Sequence, residues 1–237
     1  MTNNPYAPPA TAWISLPEHR RASFIRKTYS HLLVAVLAFV AIDAAVIALV
    51  GADTLASLAS AFGGYGWLGV LGLFMVVSWV ATSMARSSTS AMTQYMGLGL
   101  YVVAEAVLFA PFMGIAAAYG GSDVLLTAAA ITGVLFTAMT AFVLISGAKF
   151  RWLGGVLAVA GLGAMGAIVL SVFLGFSLGI WFTAGMIVFA CASILYQTSG
   201  ILHDYRESQH VAAALALFAS VALLFWYVLQ FVMASRD

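Results

Sequence analysis

Charge is what this chain lacks most. Of its 237 residues only 7% are Asp, Glu, Lys or Arg, against 64% hydrophobic. A soluble domain carries roughly 25% charged residues, so nine Lys/Arg and eight Asp/Glu cannot cover a water-facing surface of this size. The scarcity excludes a soluble enzyme. A net charge of +1 excludes an electrostatic footprint on nucleic acid, so no nucleic-acid partner is expected. A single cysteine, Cys191, excludes an intramolecular disulfide framework and a Cys-rich metal site. Lysine is nearly absent: Lys27 and Lys149 both fall at loops, so no helix carries the Schiff-base lysine of a retinal protein.

Long apolar runs are what is present. A membrane-spanning helix needs about 20 mostly apolar residues, and seven stretches qualify. They run Thr28–Val50, Gly63–Ala85, Met92–Ala117, Asp123–Gly147, Trp152–Gly175, Leu178–His203 and His210–Ala234. None alternates apolar and polar residues as a membrane strand would. The fold class expected is an all-α membrane protein, a seven-helix bundle in the lipid bilayer. The first apolar run is long enough to span and has no small-residue cleavage site after it, so it is not read as a signal peptide.

The few basic residues set an orientation. Arg20, Arg21, Arg26, Lys27, Arg86, Lys149, Arg151 and Arg206 all fall on one side of the seven spans, and the alternate loops 51–62, 118–122 and 176–177 hold no Lys or Arg. The positive-inside rule then predicts a cytoplasmic N-terminus and an extracytoplasmic C-terminus in a bacterial inner membrane. Pro5, Pro8 and Pro9 mark a flexible cytoplasmic tail, residues 1–23, ahead of a membrane domain at 24–237. Ser15 and Glu18 have capping-box spacing, which predicts a short basic helix leading into the first span. Trp67, Trp152 and Trp181 fall at span ends, as interfacial aromatics do. Trp79 does not, and is expected to pack inside the bundle. Small-residue stripes, Gly163/Ala167/Ser171 and Ala212/Ala216/Ser220, suggest tight helix contacts. Pro111 is expected to kink the third span.

Ionisable residues inside a bilayer are costly and are read first as functional. Asp43 lies about 22 Å into the first span, and Glu105 about 20 Å into the third, at ~1.5 Å per residue. Both helices run outward, so the two carboxyls share a depth. Facing one cavity, they would form a proton- or cation-binding pair. The bland alternative is a protonated carboxyl bonded to a neighbouring helix, and Asp43 could instead reach water at the outer face. A second polar group comprises Gln197 and Ser220, about 9 and 15 Å from the inner ends of the sixth and seventh spans. Beyond it His203, Asp204, Arg206, Glu207 and His210 crowd one loop, mostly an ordinary solvated turn. Histidine titrates near neutrality, which makes His203 and His210 candidate modulators.

No enzyme is expected. Gln197-Thr198-Ser199-Gly200 lacks the first glycine of a rhomboid-type nucleophile, and there is neither a phosphate-binding glycine loop nor a His-Glu-x-x-His zinc pattern. His31 and His203 are a poor signal for haem. No cofactor or resident metal is implied.

Several short motifs carry a resemblance. They are Phe24-Ile25-Arg26-Lys27-Thr28-Tyr29 before the first span, and Trp152-Leu153-Gly154-Gly155 at the start of the fifth. Ile194-Leu195-Tyr196-Gln197-Thr198-Ser199, followed by Ile201 and His203, closes the sixth. Ala214-Leu215-Ala216-Leu217-Phe218 opens the seventh, and Ala234-Ser235-Arg236-Asp237 follows it. In these the chain resembles the Bax inhibitor-1 family and its bacterial YccA-like branch, the sixth-to-seventh-span motif being the most specific. The resemblance implies a compact bundle with the seventh span surrounded by the others, and a pH-sensitive calcium leak latched by two aspartates on the sixth and seventh spans. Those positions match Gln197 and Ser220, neither of which ionises. Family-type pH gating is therefore in doubt, although the two side chains could share a hydrogen bond. By the same resemblance Arg86 could stand near a basic residue that pairs with the latch. Glu105 matches no feature of the branch and could supply the missing titratable group. YccA-like proteins are also substrates and modulators of a membrane-anchored ATP-dependent protease, with the N-terminal tail as handle. Such a protease is the implied partner if residues 1–23 act that way.

Overall fold

A computed structural model describes residues 18–61, 65–87 and 90–236. Eight helices follow one another: α1 (Glu18–Val50), α2 (Ala52–Ala61), α3 (Tyr65–Ala85), α4 (Ala91–Gly120), α5 (Ser122–Ser146), α6 (Leu153–Leu174), α7 (Gly179–His203) and α8 (His210–Ala234). Among the described residues seven are long and apolar enough to cross a membrane, and they coincide with the seven expected spans to within a few residues, apart from an earlier start for the first. Length and composition decide this, because a backbone in hydrocarbon must satisfy its hydrogen bonds within its own helix.

Two boundaries differ from the sequence reading. Positions 51–62, read as a loop, contain α2, which leaves α1 at Gly51 (φ 87°) and buries Leu55 and Ala56. Ten residues are too few to span, so no hydropathy window detects this helix. At the other end α1 starts at Glu18, so the basic residues 18–23 form its first turns and a tail boundary at 23 falls inside a helix. Positions 1–17, with the proline-rich segment and Ser15, lie outside the described residues.

α8 is the post around which the bundle is built. It packs against α1, α3, α4, α5 and α7, and 67% of its apolar stretch is buried. α6 is its opposite: only Leu153 is buried, and its main neighbour is α7. The stripe Gly163/Ala167/Ser171, expected at a tight contact, therefore lies on a peripheral helix, and a Cβ on Gly163 would meet nothing within 4 Å. The close approach is elsewhere. A Cβ on Gly97 of α4 would stand 2.6 Å from the Ala81 carbonyl of α3, so the absent side chain sets the α3–α4 spacing. Trp79 is also corrected: it is 73% exposed on α3 rather than packed inside. Its indole has lipid as a partner, so nothing forces it inward. α4 runs unbroken through Pro111.

The connections at the basic end are tied by short-range bonds. Ser199 Oγ accepts from the Phe150 amide at 2.9 Å and donates to the Ala148 carbonyl at 3.3 Å, holding the α5–α6 loop against α7. Arg151 and Asp204 form an exposed ion pair at 3.0 Å. At the opposite end Arg236 pairs with Asp123 at 2.7 Å.

Candidate functional site: a polar cavity against the central helix

Four helices each carry small or polar residues four apart. On α3 and just past its end these are Ser78, Thr82 and Arg86; on α4, Tyr101 and Glu105; on α7, Ser193 and Gln197; on α8, Ala212, Ala216 and Ser220. Residues four apart share a helix face, and the four faces meet around one cavity of about 500 Å³. The α8 stripe, expected to draw helices into tight contact, does meet α7 at Ser220, but it also lines this space. Its alanines are too short to fill it.

Arg86 stands at the basic end of the cavity and is exposed. Glu105 lies about 21 Å along α4 from Ala91, at ~1.5 Å per residue, and is only 6% exposed. Among the described residues it is the sole carboxyl lining the cavity. The Tyr101 hydroxyl, one turn earlier, lies beside Glu105 and Ser78, while Glu105 Oε2 has no hydrogen-bond partner. A buried carboxylate oxygen without a donor is costly, so Glu105 remains the candidate ion- or proton-binding group of this cavity.

Across the cavity the hydroxyls of Ser193 and Ser220 are 2.9 Å apart, and Ser220 donates to the Ala216 carbonyl at 3.2 Å. A serine has one proton to give, so Ser193 donates to Ser220. Ser220 thus closes the α7–α8 contact through Ser193, one turn before the expected Gln197. Gln197 lines the same cavity.

Asp43 does not join them. It is 3% exposed, away from water, and lines a separate apolar groove between α1 and α5. Neither of its oxygens has a hydrogen-bond partner. The two carboxyls are within electrostatic range of each other but do not share a cavity. Aromatic rings occupy the core around them: Phe39 meets Phe109 at 5.3 Å and Phe218 at 6.0 Å. One turn past Glu105, Phe109 also meets Trp226 at 5.1 Å, and Phe112 meets it at 4.5 Å, which plugs the bundle beyond the cavity.

The remaining candidates sit at the basic end. Asp204 is taken up by Arg151. His203 Nδ1 donates to the Ser199 carbonyl at 2.9 Å, leaving Nε2 for other partners. His31 does not approach His203; it stacks on Tyr95 and lies 5.1 Å from His210, joining α1, α4 and α8. Tyr205, behind Asp204, has its phenol pushed up by burial, an effect that the neighbouring Arg86 opposes. Among the described residues no three His, Cys, Asp or Glu side chains gather as a metal site.

Sequence reasoning named Glu105, Gln197, Ser220 and Arg86 but missed Ser78, Thr82, Tyr101 and Ser193. The signal available was the four-residue spacing of polar side chains on α3, α4 and α7.

These features define a multi-pass helical membrane protein built around one buried helix, with a polar cavity against it. A profile of the family described as "Inhibitor of apoptosis-promoting Bax1" matches residues 21–237. The chain belongs to the Bax inhibitor-1 family. It is 31% identical over 165 residues to "Uncharacterized protein PA2604" of Pseudomonas aeruginosa, covering 69% of this chain and 70% of that one. It is 30% identical over 115 residues to "Uncharacterized protein NMA0420" of Neisseria meningitidis serogroup A, covering 48% of this chain and 50% of the relative.

Proposed function

We propose that this protein is a slow cation leak of a bacterial inner membrane, carrying calcium or protons, with its basic end in the cytoplasm. The observation that carries the reading is the meeting of Glu105, Gln197, Ser220 and Arg86 around one cavity against α8. Glu105 is the ion-binding or proton-binding group. Arg86 at the mouth repels cations and keeps the flux low. The Ser193–Ser220 bond holds α7 on α8 in place of a carboxyl pair, so closure does not need a proton. The rings of Phe109, Phe112 and Trp226 form the barrier on the far side, in the manner of a hydrophobic constriction.

The test is calcium and proton flux into liposomes containing the purified chain, against Glu105→Gln. A flux above protein-free vesicles that falls in the variant supports the reading. Background flux in both proteins, at neutral and mildly acidic pH, removes it.

A further inference from the structure

The seam between α1 and α5 has two compartments stacked along it. Both helices pack on α8 but not closely on each other, which leaves a lateral cleft floored by Phe218, Ala222 and Phe225. Its main part is a groove of about 500 Å³ walled by apolar side chains such as Val36, Val40, Ala129, Gly133 and Phe136, with Asp43 and Thr132 the polar residues in its wall. It follows α1 from Tyr29 to Ile47, about 27 Å of helix at ~1.5 Å per residue. That exceeds the ~15 Å depth of hydrocarbon in one leaflet.

The second compartment lies at the basic end of the same seam. It is a pocket of about 260 Å³ formed by Arg21 and Ile25 of α1, Leu144 of α5, Lys149 of the next loop, and Leu202 and His203 of α7. Arg21 and Lys149, from two segments, bring their cationic side chains there with the His203 ring beside them, and among the described residues none of its lining side chains is a carboxylate. The Ser199 carbonyl accepts from Nδ1 of His203 and fixes the ring at the edge of this pocket. Nearby Arg151 is already committed to Asp204.

A basic mouth and a long apolar groove on one line match one kind of molecule. We propose that the α1–α5 seam is a binding site for an anionic glycerophospholipid, with its phosphate at Arg21 and Lys149 and one acyl chain in the groove. Charge complementarity selects an anionic headgroup over a zwitterionic one. The groove selects a lipid over free phosphate. The site shares no lining residue with the Glu105 cavity, so it stands or falls apart from the leak.

The experiment uses the full chain in detergent, with phosphatidylglycerol, phosphatidylcholine of the same chains, and inorganic phosphate as probes. Native mass spectrometry reads retention, and thermal unfolding without lipid checks the fold of each variant. Phosphatidylglycerol is expected to be retained in preference. Lys149→Gln and Arg21→Gln should each weaken it about fivefold, near 1 kcal/mol per basic residue at a membrane surface. Lys149 lies on an exposed loop, so its variant reports even if Arg21→Gln unfolds. Gly133→Phe fills the groove, where a Cβ meets nothing within 4 Å, and should weaken both lipids alike. Equal retention of the two lipids by the unaltered chain overturns the proposal. So does displacement of phosphatidylglycerol by inorganic phosphate, which marks a free-anion site. A dimer that Gly133→Phe dissolves would mean that a second copy, not a lipid, covers the seam.

Discussion

The hydroxyls of Ser193 and Ser220, 27 residues apart in the chain, lie 2.9 Å from one another across the α7–α8 contact. Interhelical hydrogen bonds in membranes average only about 0.6 kcal/mol. Ser220→Ala should therefore cost the fold about that much, read by thermal unfolding in detergent. The leak should rise at the same time, because the small loss falls on the contact that holds α7 closed. A stability loss of several kcal/mol would show that this serine has a larger structural role than one bond.

Restoring acids at the two latch-equivalent positions gives a sharper result. In Gln197→Asp/Ser220→Asp the cavity would hold three carboxyls with Glu105. Two carboxyls sharing a site cannot both ionise easily. Flux should then become pH-dependent, where the unaltered chain shows a weaker dependence. Identical pH profiles for the two proteins, measured in the same liposomes, would count against this cavity as the path.

Asp43 and Glu105 should behave differently. Asp43 has two buried oxygens without partners in an otherwise apolar groove, and a buried polar group left unsatisfied costs about 1–3 kcal/mol. Asp43→Leu should raise the melting temperature and leave flux unchanged. A loss of flux would bring Asp43 back into the path.

The ring plug makes its own prediction. Phe109 contacts Phe39 and Trp226 immediately beyond Glu105. Phe109→Ala should increase flux several-fold while destabilising the bundle by about 3–5 kcal/mol. Adding Glu105→Gln should reduce that increased flux; an additive, independent effect on unfolding alone would place the barrier elsewhere.

At Gly97 the α3–α4 spacing can be tested directly. The nearest atoms to an added Cβ are backbone, 2.6 Å away at both Ala81 O and Ala85 N. Backbone cannot rotate aside, so Gly97→Val should destabilise by about 1–3 kcal/mol or more. Gly99, with nothing within 4 Å of its Cβ position, is the matched control.

The seven spans were legible because bilayer thickness fixes a length and hydrocarbon fixes a composition. Both are properties of a single segment. The site was only half legible because it is a property of four segments at once. Glu105 stood out by charge and Gln197 by its motif. Whether Glu105 faced Asp43 or Gln197 depended on how α4 is rotated about its axis, and on α8 standing between two cavities. The α8 stripe shows the same limit: its spacing is plain in the chain, but small residues can close a contact or leave a hollow. Trp79 was misassigned for a related reason. In a membrane a large aromatic side chain is at ease on the outside, so size gives no direction. α2 escaped notice because it buries its apolar side against α4 rather than across the bilayer.

The placement of α8 bears on how the protein is made. Domains and helices emerge in chain order, and α8 follows the seven helices of which it directly contacts five. Until it inserts, α1, α3, α4, α5 and α7 face an unfilled axis, and the polar sides of Glu105 and Ser193 lack the neighbour that encloses them. The earlier helices must therefore wait in the bilayer as a loose, incomplete ring.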